Sequence, residues 1–358
     1  MYDFKVKSII HDYEVSFIDD FSESLNEQLE YGDVLIIDKN VLDLYKKDLI
    51  KAIKNYEHII INATEEQKSY TGLVQIIHKL IDIGFKRNNH LIAIGGGITQ
   101  DVTAFTASIL FRGVQWLFYP TTLLAQGDSC IGSKTSINFG TYKNQLGGFY
   151  PPKHIFIDLK FLDTLTDLDL KSGFGEMSHY FVIAGEKDFE RYKKEYPLAL
   201  TDKKVLSGLI ARSLEIKKRY IEIDEFDKNE RQVFNYGHSF GHAIESLTNY
   251  RIPHGIAVSY GMDMANYVSM KLGYISENIR NDIRELLAQI WHGTSISDIH
   301  LEKFKIALSK DKKNVGEELR LILNKGYGKI FKDAMKMDDH FSELLKSYFS
   351  NELQNESK

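Results

Sequence analysis

The feature that most constrains this chain is a change of pattern near residue 165. Between about 30 and 160, short apolar, largely β-branched or aromatic runs at 34–37, 59–61, 91–94, 116–119 and 155–157 alternate with helical patterns. Parallel strands need a long return connection, so this alternation predicts an α/β half: a parallel sheet with crossover helices. Residues 67–85 place Leu73, Ile76, Ile77, Leu80 and Ile83 on one helical face able to cover such a sheet. Beyond 165, helical patterns at roughly 166–185, 203–224, 230–249, 255–272 and 276–291 predict a mostly α-helical second domain. The run 319–323, followed by Gly326 and Gly328, reads as a small hairpin, and the polar tail from about 340 is expected to fray. Domains of 1–165 and 166–358 follow. The five prolines (120, 151, 152, 197, 253) fall at predicted element ends.

Composition excludes several function classes. With 358 residues the chain can bury two cores without staples, and its one cysteine, Cys130, can form no internal disulfide. A reducing compartment is expected, with Cys130 a small packed side chain rather than a nucleophile. A net charge of −5 offers no global attraction to nucleic acid or an anionic membrane, so an anion site must be a local pocket. No run approaches the ~20 apolar residues of a membrane span, and Met1-Tyr2-Asp3-Phe4-Lys5 lacks the form of a secretory signal. The expectation is a cytoplasmic protein with no nucleic-acid or membrane partner.

Four places carry chemistry. Gly95-Gly96-Gly97 follows the run 91–94 and precedes a helical stretch, where bare backbone N–H groups and a helix N-terminus can approach a phosphate; a tight turn without ligand reads the same way. Asp38-Lys39-Asn40 ends the run 34–37, where a carboxylate can accept ribose hydroxyls or simply hold a turn. The stretch 120–129, with Thr121, Thr122, Asp128 and Ser129, and then Lys134, Lys143 and Asn144, reads as a loop with donors and cations for a phosphorylated small molecule; a solvated loop is the plain alternative. The sharpest local signal is 235–245, where His238 and His242 lie one helical turn apart, with His254 following after Pro253. Two histidines with a carboxylate make a three-ligand divalent site with open positions. Spacing leaves open whether a metal binds at all and which carboxylate serves, Glu176 being one candidate.

These residues, in order, resemble the 3-dehydroquinate synthase and sugar-phosphate cyclase family: Gly95-Gly96-Gly97, Asp101, Arg112-Gly113, Pro120-Thr121-Thr122, Asp128-Ser129, Gly132, Lys134-Thr135, Asn138, Lys143-Asn144, Glu176, Asp224-Glu225, Asn235-Tyr236-Gly237-His238, His242, Glu245, His254-Gly255 and Asp311-Lys312-Lys313. The resemblance spans roughly 30–330 and implies a Rossmann-like NAD-binding domain followed by a helical domain. It implies metal ligands Glu176, His238 and His254 for zinc or cobalt. It assigns His242 to phosphate contact instead, with Lys134, Asn144 and Asn235, and with Arg112 donated by a partner in a homodimer. Lys217 and Arg231 match the pair that grips a substrate carboxylate, and Asp128 sits between cofactor and substrate. For NAD the matching positions are Asp38, Asn40, Glu65, Lys68, Gly96, Gly97, Ile98, Asp101, Thr121, Thr122, Leu124, Asp128, Ser129, Lys143, Phe161, Thr164 and Leu165. Lys312 or Lys313 supplies a further phosphate cation.

By that resemblance the chain is a lyase using NAD without net redox change, acting on a phosphorylated keto-sugar acid such as 3-deoxy-arabino-heptulosonate 7-phosphate. One departure bears on the substrate: the family's Glu-x-x-Lys, whose lysine contacts substrate oxygen, is Glu176-Met177-Ser178-His179 here. Imidazole is shorter than a lysine and titrates near neutrality, which keeps open a related cyclase on another keto-sugar phosphate. Gly97-Ile98-Thr99-Gln100-Asp101 and Gly175 also depart from the commoner residues. A metal- and NAD-dependent alcohol dehydrogenase shares the expected architecture but needs no phosphate pocket, so Lys134, Lys143, Asn144 and His242 count against it.

Overall fold

The computed structural model describes residues 2–140, 142–310 and 318–353. The chain divides into two compact units, Met1–Thr166 with Lys217–Asp227, and Asp167–Ile216 with Lys228–Lys358.

In the first unit β1 (Phe4–Val6), β2 (Tyr13–Phe17) and α1 (Phe21–Gln28) precede β3 (Val34–Asp38), α2 (Lys39–Leu44), α3 (Lys46–Asn55), β4 (Glu57–Ile61) and α4 (Tyr70–Asp82). There follow β5 (Leu91–Gly95), α5 (Gly97–Ile109), β6 (Trp116–Pro120), β7 (Lys134–Phe139), β8 (Tyr142–Phe149) and β9 (His154–Ile157). Seven strands form one sheet in the order β1-β2-β9-β6-β5-β3-β4, parallel except for β1 against β2. Every residue of β3, β5 and β6 is buried, as expected of strands covered on both faces. On one face Leu35, Ile37, Ile92, Ile94 and Tyr119 pack with Phe21, Leu25, Leu49 and Phe161, and each such side chain contributes roughly 1.5–3 kcal/mol by leaving water.

The chain leaves β3 toward β4 on one side and β5 toward β6 on the other. Adjacent strands whose exits diverge open a crevice at their carboxyl ends, and here those ends carry Asp38 and Gly95. Two elements depart from the sequence reading. The N-terminal β1–β2 pair extends the sheet, and the stretch around Lys134 and Lys143 is an antiparallel hairpin, β7–β8, rather than a loop. Its alternation is hidden because Gly147 and Gly148 stand where side chains would mark the pattern; a Cβ at 147 would meet the Thr135 carbonyl oxygen at 2.4 Å.

The second unit holds α6 (Asp167–Ala184), α7 (Glu186–Ala199), most of α8 (Lys203–Ile223), α9 (His238–Leu247), α10 (His254–Lys271), α11 (Glu277–Trp291) and α12 (Leu301–Ser309). β10 (Glu318–Asn324) and β11 (Ile330–Lys336) form the expected late hairpin, and α13 (Asp339–Ser347) follows. α10 is buried from Gly255 to Ser269, so it is the axis on which α6, α9, α11 and β10 pack. The segment read as one helix over 230–249 breaks: a 3-10 turn, Glu230–Asn235, gives way to Gly237 at φ +82° before α9 starts at His238. α7 carries no predicted pattern, yet Phe189, Tyr192 and Tyr196 bury one face, and Pro197 falls inside its last turn rather than at an element end. The tail does not fray through 353. Phe341, Leu345, Tyr348 and Leu353 are buried, and the Tyr348 hydroxyl donates to the wholly buried Asp263 at 2.8 Å, beside Arg280 at 3.0 Å.

Candidate active site

In the first unit, Asp38 caps α2, its carboxylate accepting the Asn40 N–H at 2.9 Å, and burial pushes its pKa up. Gly96 caps α5. A Cβ at Gly95 would meet the Thr99 side chain at 2.3 Å and one at Gly96 would meet Thr122 at 3.0 Å, whereas over Gly97 there is open space. That is a cradle of bare backbone at a helix N-terminus, which fits the diphosphate of a dinucleotide. Ile98, Thr122 and Leu124 are half-buried around it, and Thr121 is buried with its N–H on the Gly95 carbonyl at 3.0 Å. Ser129 and Gln100 exchange hydrogen bonds, the Ser129 hydroxyl donating at 2.7 Å and the Gln100 amide at 2.6 Å.

The hairpin β7–β8 ties several predicted residues into one polar network. Lys143 pairs with Glu65 at 2.8 Å, Asn138 donates to Glu65 at 2.7 Å, and the Asn144 N–H donates to Asn138 at 2.9 Å. Lys68 pairs with Asp101 at 2.6 Å, and Asp101 also accepts the Ser136 N–H at 2.8 Å; burial nonetheless pushes the Asp101 pKa up. Burial acts the same way on Glu65, but Lys143 and Asn138 overcome it and hold that carboxyl low. Lys134 meets Asp227 at 2.5 Å, and Lys217 donates to both the side chain and the carbonyl of Asp128 at 2.7 Å. Phe161 is sealed in the core against Phe21, its ring centroid 4.2 Å away, so only its backbone is left for a ligand. Thr164 meets the Tyr45 hydroxyl at 3.1 Å, Leu165 ends that turn, and Arg112 is exposed at φ +65° after α5. Asp311, Lys312 and Lys313 lie outside the described residues.

In the second unit α6 supplies Glu176, and α9 and α10 each begin with a histidine, His238 and His254. Close backbone packing brings them together. A Cβ at Gly175 would lie 2.2 Å from the Gly255 carbonyl oxygen, and one at Gly261 would lie 2.0 Å from that of Gly237. His238 Nε2 lies 3.4 Å from Glu176 Oε1, and His254 Nε2 3.4 Å from Glu176 Oε2. One ligand atom from each of the three lies within 4.8 Å of the others. Glu176 is 4% exposed; burial opposes its ionisation, but the facing imidazoles of His238 and His254 hold the carboxyl far below its usual range. Its Oε2 is a buried oxygen with no hydrogen-bond partner. A buried carboxylate with one orphaned oxygen, each of its oxygens facing an imidazole nitrogen, is a donor set that fits a divalent cation with positions left for substrate.

Around this cluster, His179 is wholly buried, its ring 4.0 Å from Tyr180 and 5.8 Å from Phe234, with Nδ1 4.0 Å from Glu176. His242 is exposed, its ring 5.6 Å from His238 and 5.8 Å from His254. Arg231 is buried, and Asn235 is half-buried with its amide on the Gln232 carbonyl at 3.0 Å. Sequence reasoning gave no role to Glu245, which accepts from His254 Nδ1 at 3.0 Å, or to Asp227. Glu245 follows His242 by three residues and His238 by seven, so helical spacing alone could have placed it on the same face.

Comparison with known proteins identifies the family. The family model for the 3-dehydroquinate synthase N-terminal region matches residues 58–172 and that for its C-terminal region matches 173–314. The 3-dehydroquinate synthase of Alkaliphilus metalliredigens (strain QYMF) is 33% identical over 319 residues, covering 88% of this chain and 89% of its own. Among solved structures, 2-deoxy-scyllo-inosose synthase complexed with carbaglucose-6-phosphate, NAD+ and Co2+ superposes with a TM-score of 0.82 at 23% identity, over 97% of this chain and 99% of its own. The 2-epi-5-epi-valiolone synthase ValA of Streptomyces hygroscopicus subsp. jinggangensis 5008, with NAD+ and Zn2+ bound, gives a TM-score of 0.82 at 22% identity over 98% of each chain. With the family's models matching residues 58–172 and 173–314 and a relative 33% identical over 88% of the chain, the chain belongs to the 3-dehydroquinate synthase family.

Proposed function

We propose that this chain is a carbon–oxygen lyase that converts 3-deoxy-arabino-heptulosonate 7-phosphate to 3-dehydroquinate and phosphate, a step of the shikimate route to aromatic amino acids. The observation that carries this reading is the Glu176, His238 and His254 cluster with its orphaned oxygen, in a chain of this family. When bound, NAD supplies a reversible hydride acceptor and a zinc or cobalt ion a Lewis acid for the reacting oxygens. Glu176, His238 and His254 hold the ion. Asp38, the Gly96 and Gly97 backbone and the polar network from Glu65 to Lys143 hold the dinucleotide, in a domain of 1–165. The domain of 166–358 serves metal and substrate.

Lys134, Asn144, Asn235 and His242 donate to the substrate phosphate, lowering the cost of its departure as an anion. Arg231 and Lys217 take the carboxylate, and Asp128 fixes the Lys217 ammonium through two hydrogen bonds, so it need not be ordered at binding. In a homodimer Arg112 comes from the second copy, and the protein works in the cytoplasm. The test is phosphate release by zinc- or cobalt-loaded protein with substoichiometric NAD. Many turnovers on the acid substrate without NADH accumulation, and none on sedoheptulose 7-phosphate, are expected; silence on the acid substrate overturns the assignment.

A second reading is favoured by His179 alone. A buried imidazole where the family holds a substrate-facing lysine fits a cyclase whose keto-sugar phosphate differs at the oxygen that lysine meets. Turnover on another keto-sugar phosphate, with the acid substrate inert, is its signature.

A further inference from the structure

We propose that Glu245 is a positioning residue that sets the tautomer and tilt of His254. This rests on the reading of Glu176, His238 and His254 as a metal site. His254 stands between two carboxylates: Nδ1 is 3.0 Å from Glu245 Oε2, while Nε2, on the opposite edge of the ring, is 3.4 Å from Glu176 Oε2. A carboxylate accepts and cannot donate, so a neutral His254 carries its proton on Nδ1 and turns the Nε2 lone pair toward Glu176. His238 reaches the same state by a different device. Its Nδ1 lies 3.3 Å from the Tyr236 carbonyl oxygen, and its Nε2 also faces Glu176. One imidazole is therefore set by backbone at the break before α9, the other by a side chain lent from α9 to α10.

The lending is dimensionally fixed. Gly241, one turn before Glu245, lets the two helices approach until a Cβ there would lie 3.1 Å from the Ala257 carbonyl oxygen. Glu245 itself is only 13% exposed at its side chain, so its carboxylate is held in place rather than sweeping through solvent. An outer carboxylate of this kind orients a ligating histidine and raises its basicity.

Zn2+ affinity of the full-length protein, measured by competition with a chromophoric chelator, tests this without reference to turnover. The parent is expected to bind one Zn2+ per chain. Glu245→Ala should weaken binding about 10–100-fold, while the metal-free variant melts within a few degrees of the parent. Glu245→Gln, whose amide oxygen still accepts from Nδ1, should recover most of the loss, and Glu245→Leu should repeat it without opening a cavity. Equal affinity in Glu245→Ala, or a Glu245→Gln as weak as Glu245→Ala, overturns the positioning role. So does a second Zn2+ in the parent that Glu245→Ala loses, since one ligand atom each of His242, Glu245 and His254 also lies within 4.8 Å of the others, and Glu245 would then be a ligand. A parent that binds no Zn2+ removes the metal reading as well, whereas unchanged affinity in the variant removes this proposal alone.

Discussion

Arg231, proposed above to take the substrate carboxylate, is a buried residue. A guanidinium 4% exposed has given up water, and its geometry suits a carboxylate bound through two parallel N–H donors. Arg231→Ala should therefore raise KM for the acid substrate and lower kcat/KM by about 100-fold, as expected for a charged hydrogen bond contributing roughly 1.5–3 kcal/mol. Steady-state kinetics check this, and unchanged values exclude the role. At this scale the sequence showed residue types and hid their partners. His238 and His254 stand out in the chain, but Glu245 is one acidic residue among many until a fold sets it against His254. The commitments of Lys217 to Asp128 and of Lys134 to Asp227 join segments about ninety residues apart, beyond the reach of spacing arguments.

Among the elements, α6 and α10 cross where neither can tolerate a methyl group. Gly175→Ala places a Cβ where it would meet the Gly255 carbonyl oxygen at 2.2 Å, so the helices must part. The cost should be about 1–3 kcal/mol of stability, read from urea unfolding, together with weaker Zn2+ binding as Glu176 moves off His254. A second element-scale contact joins the start of β3 to the start of β5. Asp33 accepts the His90 N–H at 2.7 Å and faces its ring at 3.3 Å. The contact with Asp33 raises the His90 pKa; for Asp33 burial works upward, but His90 overcomes it and the net shift is down. The histidine contribution is full below its unfolded pKa and is lost as pH rises through the raised value. The aspartate contribution is full above its unfolded pKa and is lost as pH falls through the depressed one. Both act from roughly pH 4 to 6.5. Asp33→Asn should thus lose more stability against the parent at pH 5.5 than at pH 8.5; equal losses exclude the coupling. Strands β3, β5 and β6 were legible because burial on both faces demands unbroken apolar runs, and the edge strand β4 through the short run Ile59-Ile60-Ile61. The hairpin β7–β8 and helix α7 were not, because glycines and charged residues fill the faces that do not pack. The docking of α13 went unread because its anchors, Asp263 and Arg280, lie far back in the chain.

For the whole molecule, each unit carries its own core, so ligand binding adds to stability rather than creating it. Chelator-stripped protein should remain folded by circular dichroism. Restoring Zn2+ at about a thousand times Kd should add about 4 kcal/mol and raise the melting temperature by roughly 10 °C. Unfolding on chelation would show that the metal is structural. No helix among the described residues is long and apolar enough to cross a membrane. Cys130, the one cysteine, is 1% exposed, and burial pushes its thiol up to about 12. The protein is thus a natural single-label background. A cysteine placed at an exposed position such as Ile306 would be the one thiol open to a maleimide dye or spin label, with no native residue sacrificed to make it so.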